Sequence, residues 1–154
     1  MSLLHRLFSG KTISETILDG VLPLSGKAES GCVVAWIGGL AGRATADVWI
    51  STAGGQFFER RTLDLPIGRV DALRKATGVD NMADVMSRLT AFEGRHFHGD
   101  VRDGEILRVC YRTPSGQAKI DARGYRQHPE FSALATFLRN EGDKCADASK
   151  GLDG

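Results

Sequence analysis

Two histidines placed two residues apart are the first residues whose types and spacing suggest chemistry. His96 and His98 occur in the segment RHFHGD, and Asp100 follows at the same interval. In a β-strand these three side chains would project from one face. Neutral imidazoles and a carboxylate are good ligands for zinc or iron. His96, His98 and Asp100 are therefore a candidate metal site, but two histidines at this spacing are common by chance, and a surface strand with incidental histidines is the favoured interpretation.

The glycine-rich segment GGLAGR at residues 38–43 raises the question of whether the chain binds a phosphate there. A phosphate-binding P-loop closes with Gly-Lys-Ser or Gly-Lys-Thr, and this segment contains no lysine. A dinucleotide-binding loop leads directly into a helix, whereas the next residues, ATADVWI, are typical of a strand. We therefore interpret the segment as a turn between two strands.

Neither a zinc-binding nor a disulfide pattern connects the three cysteines, which are Cys32, Cys110 and Cys145. Reduced thiols in a cytoplasmic protein are the simplest interpretation. Cys110 is also a candidate nucleophile, because Arg108, Arg112 and Lys119 on the same sheet face would favour its thiolate form. A buried, unreactive thiol is the alternative, since the sequence places no histidine beside Cys110 as its base.

The composition describes an ordinary single domain that needs no cofactor in order to fold. The chain has 154 residues, 42% of them hydrophobic and 25% charged, which suffices for one core. Its net charge of +1 lacks the basic excess that argues for non-specific nucleic-acid binding. No stretch approaches the ~20 apolar residues of a membrane span, and the N-terminus lacks the pattern of a signal peptide. We therefore expect a cytoplasmic protein without a membrane partner.

Three regions are predicted along the chain: an N-terminal helical extension and linker at 1–30, an α+β domain at 31–142, and a flexible tail at 143–154. The apolar stripes of the extension comprise Leu3, Leu4, Leu7 and Phe8, followed by Ile13, Ile17 and Leu18. We expect these short amphipathic pieces to pack on their own domain. Contact with a partner or with a membrane surface is the alternative.

Three strands are predicted in the first half of the domain, at residues 32–37, 44–52 and 56–63. The first is a continuous apolar run, which is typical of a strand buried on both faces. In the other two strands apolar residues fall at both odd and even positions, as Trp49 and Val48 illustrate. Covering both faces of this sheet would require helices on each side or a second copy of the chain.

Apolar residues at helical spacing predict three helices, at residues 65–78, 80–94 and 128–142. Each segment ends at a glycine, which suits the residue that follows a helix. A short strand is expected around His96 and His98.

The sequence predicts a hairpin of residues 105–113 and 117–124, and it also predicts the register in which the two strands pair. Pairing Arg112 with Gln117 brings six apolar side chains to one face, namely Leu107, Val109, Tyr111, Ala118, Ile120 and Ala122. A shift by one residue would mix apolar and charged side chains on that face. The opposite face carries basic residues, with Asp121 beside Arg108. The predicted fold is therefore α+β, a single domain in which an antiparallel sheet of about six strands, in two hairpin-containing blocks, carries packed helices.

The leading functional hypothesis is a non-enzymatic protein-binding module that acts through its sheet surface. The predicted partner-binding residues are Arg108, Arg112, Lys119, Arg123, Tyr125, Arg126 and Trp49. Arginine and the aromatic residues are favoured types at interface anchors. Small bacterial inhibitors and toxin-neutralising immunity proteins have this profile as a class, although no shared residues support the analogy. A small metal- or anion-dependent enzyme near His96, RNA binding by the basic face and a homodimer stay open as alternatives.

Overall fold

The structure is a computed structural model, and it describes residues 30–38, 43–64, 69–100 and 105–152. The strands in these ranges are β1 (Ser30–Ile37), β2 (Arg43–Thr52), β3 (Gly55–Asp64), β4 (Arg69–Thr77), β5 (His96–His98), β6 (Ile106–Thr113) and β7 (Gly116–Arg123). The helices are α1 (Met82–Thr90), a 3₁₀ helix (Tyr125–Gln127) and α2 (Pro129–Leu152).

All seven strands belong to one sheet, in the order β4-β3-β2-β1-β6-β7-β5. The pairings are antiparallel, except that the short edge strand β5 runs parallel to β7. Helices α1 and α2 share one hydrophobic cluster with the sheet. The prediction of a single α+β domain with a mainly antiparallel sheet is therefore confirmed.

One face of the sheet, which we call the helix face, packs against α1 and α2. Trp49 and Phe58 are fully buried there, with their rings edge to face at a centroid distance of 5.1 Å. Phe131 and Leu138 of α2 and Leu89 of α1 belong to the same buried cluster, and Phe131 packs against Phe97 of β5 at the other edge of the sheet. Burial of side chains this large supplies most of the free energy that holds the helices on the sheet.

The opposite face, which we call the second face, is divided into an apolar part and a polar part. Its apolar part, the apolar strip, consists of Val33, Ala35, Ala44, Ala46, Val48 and Cys110. These six residues are between 0 and 2% exposed, and Ile37 and Ile50 border them. β1 is therefore buried on both faces, as its continuous apolar run predicts.

The hairpin of β6 and β7 has the register that the sequence predicts. Arg112 pairs with Gln117, Val109 with Ile120, and Arg108 with Asp121. Val109 and Ile120 are each 1% exposed on the helix face. The alternation of side chains therefore sends the aliphatic set inward and the basic set to the second face.

The helix predicted for residues 65–78 is wrong, because residues 69–77 form the strand β4. This strand pairs with β3 from Phe57 opposite Thr77 to Asp64 opposite Arg69, with one register shift between Thr62 and Leu63. The three-residue spacing of the apolar side chains suits a helix, but pairing with β4 gives backbone partners to the side of β3 that faces away from β2. Gly78, with φ +67°, ends a strand here rather than a helix.

The prediction that the last helix ends at Gly142 is also wrong, since α2 continues to Leu152. Gly142 lies within the helix, where a Cβ atom would collide with the Asp47 carboxylate and lie 3.0 Å from Nη2 of Arg60. Gly142 therefore allows α2 to approach the sheet closely, and it does not end the helix.

Two predictions fall outside the described residues. One is the N-terminal helical extension at 1–30, of which only Ser30 is described, as the first residue of β1. The other is the turn in GGLAGR, of which only the two end residues are described.

Candidate functional site: a basic pocket at one end of the sheet

The two histidines lie on the edge strand β5, and both side chains are exposed. His96 pairs with Asp121 of β7, and His98 pairs with Arg123. Cross-strand partners project from the same face, so both imidazoles point to the second face. The strand ends directly after His98, where the backbone N–H of Gly99 donates to the Arg123 carbonyl at 2.9 Å.

Asp100 does not continue the alternation that the sequence suggests. It lies beyond the end of β5, and its backbone N–H donates to Oε1 of Gln127 at 3.1 Å. Gly99 is buried and so close to Gln127 that a Cβ atom at this position would crowd the amide side chain. Within the described part of the chain, no three His, Cys, Asp or Glu side chains are grouped so that they could hold a metal ion.

The polar part of the second face is built by β6 and β7. Nε of Arg108 lies 3.4 Å from Oδ1 of Asp121, a long ion pair in which both side chains keep contact with solvent. Arg112 donates through Nε and Nη2 to Oε1 of Gln117, at 3.1 and 2.8 Å. Lys119, opposite Cys110, is exposed. An exposed ion pair such as Arg108–Asp121 contributes little to stability, so a ligand carboxylate can compete for this guanidinium.

The two histidines meet Arg108 and Arg123 in one depression of about 370 Å³, which we call the basic pocket. Its polar lining consists of His96, His98, Arg108, Asp121 and Arg123. Imidazoles and guanidinium groups are hydrogen-bond donors suited to carboxylates and phosphates. The sequence identifies these residues separately, but their convergence depends on the parallel pairing of β5 with β7, which the sequence does not indicate.

Tyr125 and Arg126 lie away from the basic pocket, at the start of α2. Tyr125 is 4% exposed, and its hydroxyl donates to Oε2 of Glu105. Arg126 is exposed and donates to Oε1 of the same carboxylate at 3.2 Å. The structure therefore separates these two predicted partner-binding residues from the four basic residues of β6 and β7.

Trp49 lies in the core and not at a surface. Its side chain is 0% exposed, and its indole N–H donates to Oδ1 of Asn81 at 3.1 Å. This burial does not match the surface anchor that the sequence predicts at Trp49. Strand β2 projects Trp49 toward the helices, and its neighbour Val48 belongs to the apolar strip.

The three cysteines, all within the described residues, are buried and form no disulfide with one another. Cys110 lies in the apolar strip and is 0% exposed. Its thiol is therefore not accessible to a substrate and cannot act as a nucleophile in this position. Burial raises the pKa of the Cys32 thiol to about 12. These surroundings match those of inert structural thiols.

A charged cluster between the sheet and α2 was not identified from the sequence. Asp47 is fully buried and accepts hydrogen bonds from Nε and Nη2 of Arg60, at 2.8 and 3.0 Å. The same guanidinium reaches Asp143 on α2 at 2.9 Å. Burial raises the pKa of the Asp47 carboxyl, and the hydrogen bond to Asp47 raises the pKa of Arg60. The acidic residue inside the apolar run of β2 is the signal that could have indicated this cluster.

Asn81 forms a second polar connection under α2. Its side chain accepts from Trp49 and from Sγ of Cys145, and it donates to the carboxylate and the carbonyl of Glu141 at 2.9 and 3.1 Å. It directly precedes α1, and its side chain makes no capping bond to that helix. Asn81 therefore ties α1, α2 and the sheet together.

Comparisons with protein-family models, with curated proteins and with solved structures find no match for this chain. Neither α1 nor α2 combines the length with the apolar character that crossing a bilayer requires.

Proposed function

We propose that the protein is a non-enzymatic protein-binding module, an inhibitor or toxin-neutralising protein, that holds an acidic partner on the polar part of its second face. The observation that carries this proposal is the charge balance of β5, β6 and β7. Their second-face side chains include Arg108, Arg112, Lys119 and Arg123. Among the described residues of these three strands, Asp121 is the one carboxylate on that side.

The arrangement of these cations suits a protein partner. Strands in a sheet lie about 4.8 Å apart, so cations on three neighbouring strands stand close enough to contact one partner together. Arginine presents donors in a planar fork that matches carboxylates, and it is enriched at protein interfaces. The Arg108–Asp121 pair is long, at 3.4 Å, so a carboxylate of a partner can compete with Asp121 for the guanidinium.

The test is capture of proteins from the lysate of the source cells, with quantification by mass spectrometry. The full chain is compared with Arg108→Glu/Arg123→Glu and with a control, Arg74→Glu/Lys75→Glu. The control has the same change of net charge, on exposed residues of β4 at the opposite edge of the sheet. The proposal expects a protein that the unmodified chain and the control retain and that the Arg108→Glu/Arg123→Glu variant loses. Equal retention by all three chains, or no specific protein at all, contradicts it.

A small anion-dependent enzyme is a second candidate, favoured by the presence of both histidines and two arginines in the basic pocket. Ligands that bind the folded state raise its melting temperature. This candidate predicts that millimolar inorganic phosphate raises the melting temperature of the unmodified chain and not that of Arg108→Glu/Arg123→Glu. A melting temperature independent of phosphate would count against an anion site in this pocket.

A further inference from the structure

Another pocket, separate from the basic pocket, lies between the 3₁₀ helix and the first half of α2. It has a volume of about 330 Å³, and we call it the helix pocket. Its described lining residues are Tyr125, Arg126, Ser132, Ala135, Thr136, Arg139 and Asn140. The five of these that belong to α2 follow the i, i+3, i+4, i+7 spacing of one helix face. One face of α2 therefore forms a wall of the pocket.

The helix pocket has short side chains in its middle and an arginine on each side. Ala135 is buried, and Ser132 and Thr136 beside it are short as well. Arg126 precedes α2 in the chain, and Arg139 follows Ser132 by about two helical turns. The side chains of Arg126 and Arg139 are 68% and 47% exposed, so both guanidinium groups are accessible to a ligand from solvent.

Both arginines are held in position by neighbouring groups. Arg126 donates through Nη2 to Oε1 of Glu105 at 3.2 Å, and Nη2 of Arg139 lies 3.8 Å from Oε2 of the same carboxylate. The Arg139 guanidinium also lies 5.3 Å from the centre of the Trp36 ring, within the range of a cation–π contact. Among the described residues, these two cations share one carboxylate. The pocket therefore keeps an excess of positive charge that attracts an anion.

The neutral residues of the helix pocket can bind hydroxyl groups. The structure shows no hydrogen bond from the side chains of Ser132, Thr136 and Asn140 to other described residues. Hydroxyl and amide groups both donate and accept hydrogen bonds, as the hydroxyl groups of a polyol do. The arginine fork in turn matches the oxygens of a phosphoryl group. The volume is near the lower end of the range of small-molecule sites, which begins at about 300 Å³.

We propose that the helix pocket binds a small phosphorylated polyol of the sugar-phosphate class. Its phosphoryl group lies between Arg126 and Arg139, and its hydroxyl groups bind to the neutral side chains on α2. Glu105 lowers the affinity, because its carboxylate competes for both arginines. The pocket is formed by α2, which packs on the helix face, and not by the polar part of the second face. This inference is therefore independent of the proposed function.

Nuclear magnetic resonance of the isotope-labelled full chain, titrated with glucose 6-phosphate, tests the site residue by residue. The proposal expects saturable shift changes at the backbone amides of residues 132–140. Glucose should cause none, and inorganic phosphate should bind at least ~10-fold more weakly than glucose 6-phosphate, since it lacks the hydroxyl contacts. Shift changes confined to the basic pocket, or no changes at all, would overturn the proposal. Equal binding of inorganic phosphate would also overturn it, because the site would then hold an adventitious ion only.

Two variants test the roles of the charges in the same titration. Arg126→Gln/Arg139→Gln should weaken the binding of glucose 6-phosphate at least ~10-fold, because hydrogen bonds to charged groups are strong. The control Arg74→Gln/Lys75→Gln has the same change of net charge on exposed residues of β4, and it should bind within about twofold of the unmodified chain. Equal affinities for the unmodified chain and Arg126→Gln/Arg139→Gln would overturn the proposal.

Glu105→Gln changes the affinity in the opposite direction, so the proposal can be tested even if the double arginine variant fails to fold. The substitution removes the competing charge and keeps an oxygen that accepts from the Tyr125 hydroxyl. We expect glucose 6-phosphate to bind severalfold more tightly, and the difference to shrink with added salt. Unchanged or weaker binding by Glu105→Gln would contradict a phosphoryl position beside this carboxylate and overturn the proposal.

Discussion

At the scale of single residues, the contact between α2 and the sheet depends on Gly142 and on the ion pair beneath it. The sequence shows a glycine in an apolar helical pattern and predicts a helix end. The structure shows that the space a Cβ atom would need at Gly142 is occupied by Asp47. Such a requirement comes from another strand, 95 positions away along the chain, so local sequence patterns do not contain it.

Gly142→Ala should destabilise the protein even though alanine favours helices. Overpacking a tight contact costs about 1–3 kcal/mol, against a gain of about 1 kcal/mol in helix propensity. We therefore expect Gly142→Ala to lower the free energy of unfolding, as measured by urea denaturation, because the added methyl group pushes α2 away from Asp47. Asn140→Ala, at an exposed position in the same helix, should raise this free energy by roughly 0.5 kcal/mol. A gain of equal size for both variants would show that Gly142 has free space.

Glu141 gives a prediction with a defined pH dependence. The hydrogen bond from Asn81, and to a smaller extent that from Lys144, lowers the pKa of the Glu141 carboxyl in the folded protein. A carboxyl of this kind stabilises the fold above its unfolded pKa of about 4.3, and that stability is lost as the pH falls through the folded pKa. Glu141→Gln should therefore lower the free energy of unfolding by about 1 kcal/mol at neutral pH, because bonds to a charged acceptor are stronger.

The deficit of Glu141→Gln should shrink toward zero as the pH falls through the lowered pKa of Glu141 in the folded protein, because the wild-type carboxyl then becomes neutral as well. Urea denaturation of both chains at neutral and acidic pH measures this difference. A deficit that is the same at both pH values would place the effect of the substitution in packing rather than in charge.

At the scale of elements, the sequence determines the register where only one face of a hairpin is apolar. Strands β6 and β7 alternate apolar and charged residues, so one register buries the apolar set and a shift would expose it. β4 offers no such discrimination, because Val70 and Leu73 fit a helix as well as a strand. Its partner β3 resolves the choice through pairing, which local propensity does not contain.

The strand assignment of β4 predicts its backbone chemical shifts. Nuclear magnetic resonance of the full chain should give Cα secondary shifts of strand sign over residues 69–77, and of helical sign over 82–90 and 129–152. The segment 82–90 is the internal control, because sequence and structure agree on it. Helical shifts over 69–77 would contradict the seven-stranded sheet.

At the scale of the whole molecule, the two faces of the sheet differ in what packs against them and in the side chains they carry. The helix face is filled by α1 and α2, while the second face joins the apolar strip to a polar surface. The sequence indicates both halves, since it predicts a doubly buried β1 and a basic face on β6 and β7. It does not indicate that β5 forms the edge of the sheet beside β7, because a parallel pairing of only three residues leaves no periodic pattern in the sequence.

The measurement that tests the account most directly is the affinity of the captured partner for the purified chain, by isothermal titration calorimetry. Truncating or reversing charges at an interface costs about 2–5 kcal/mol when they pair with the partner. We therefore expect Arg108→Glu/Arg123→Glu to weaken binding by at least ~30-fold. The control Arg74→Glu/Lys75→Glu should bind within about twofold of the unmodified chain, since its charges lie at the other edge of the sheet. Equal affinities for the unmodified chain and Arg108→Glu/Arg123→Glu would contradict the assignment of the polar second face as the binding surface.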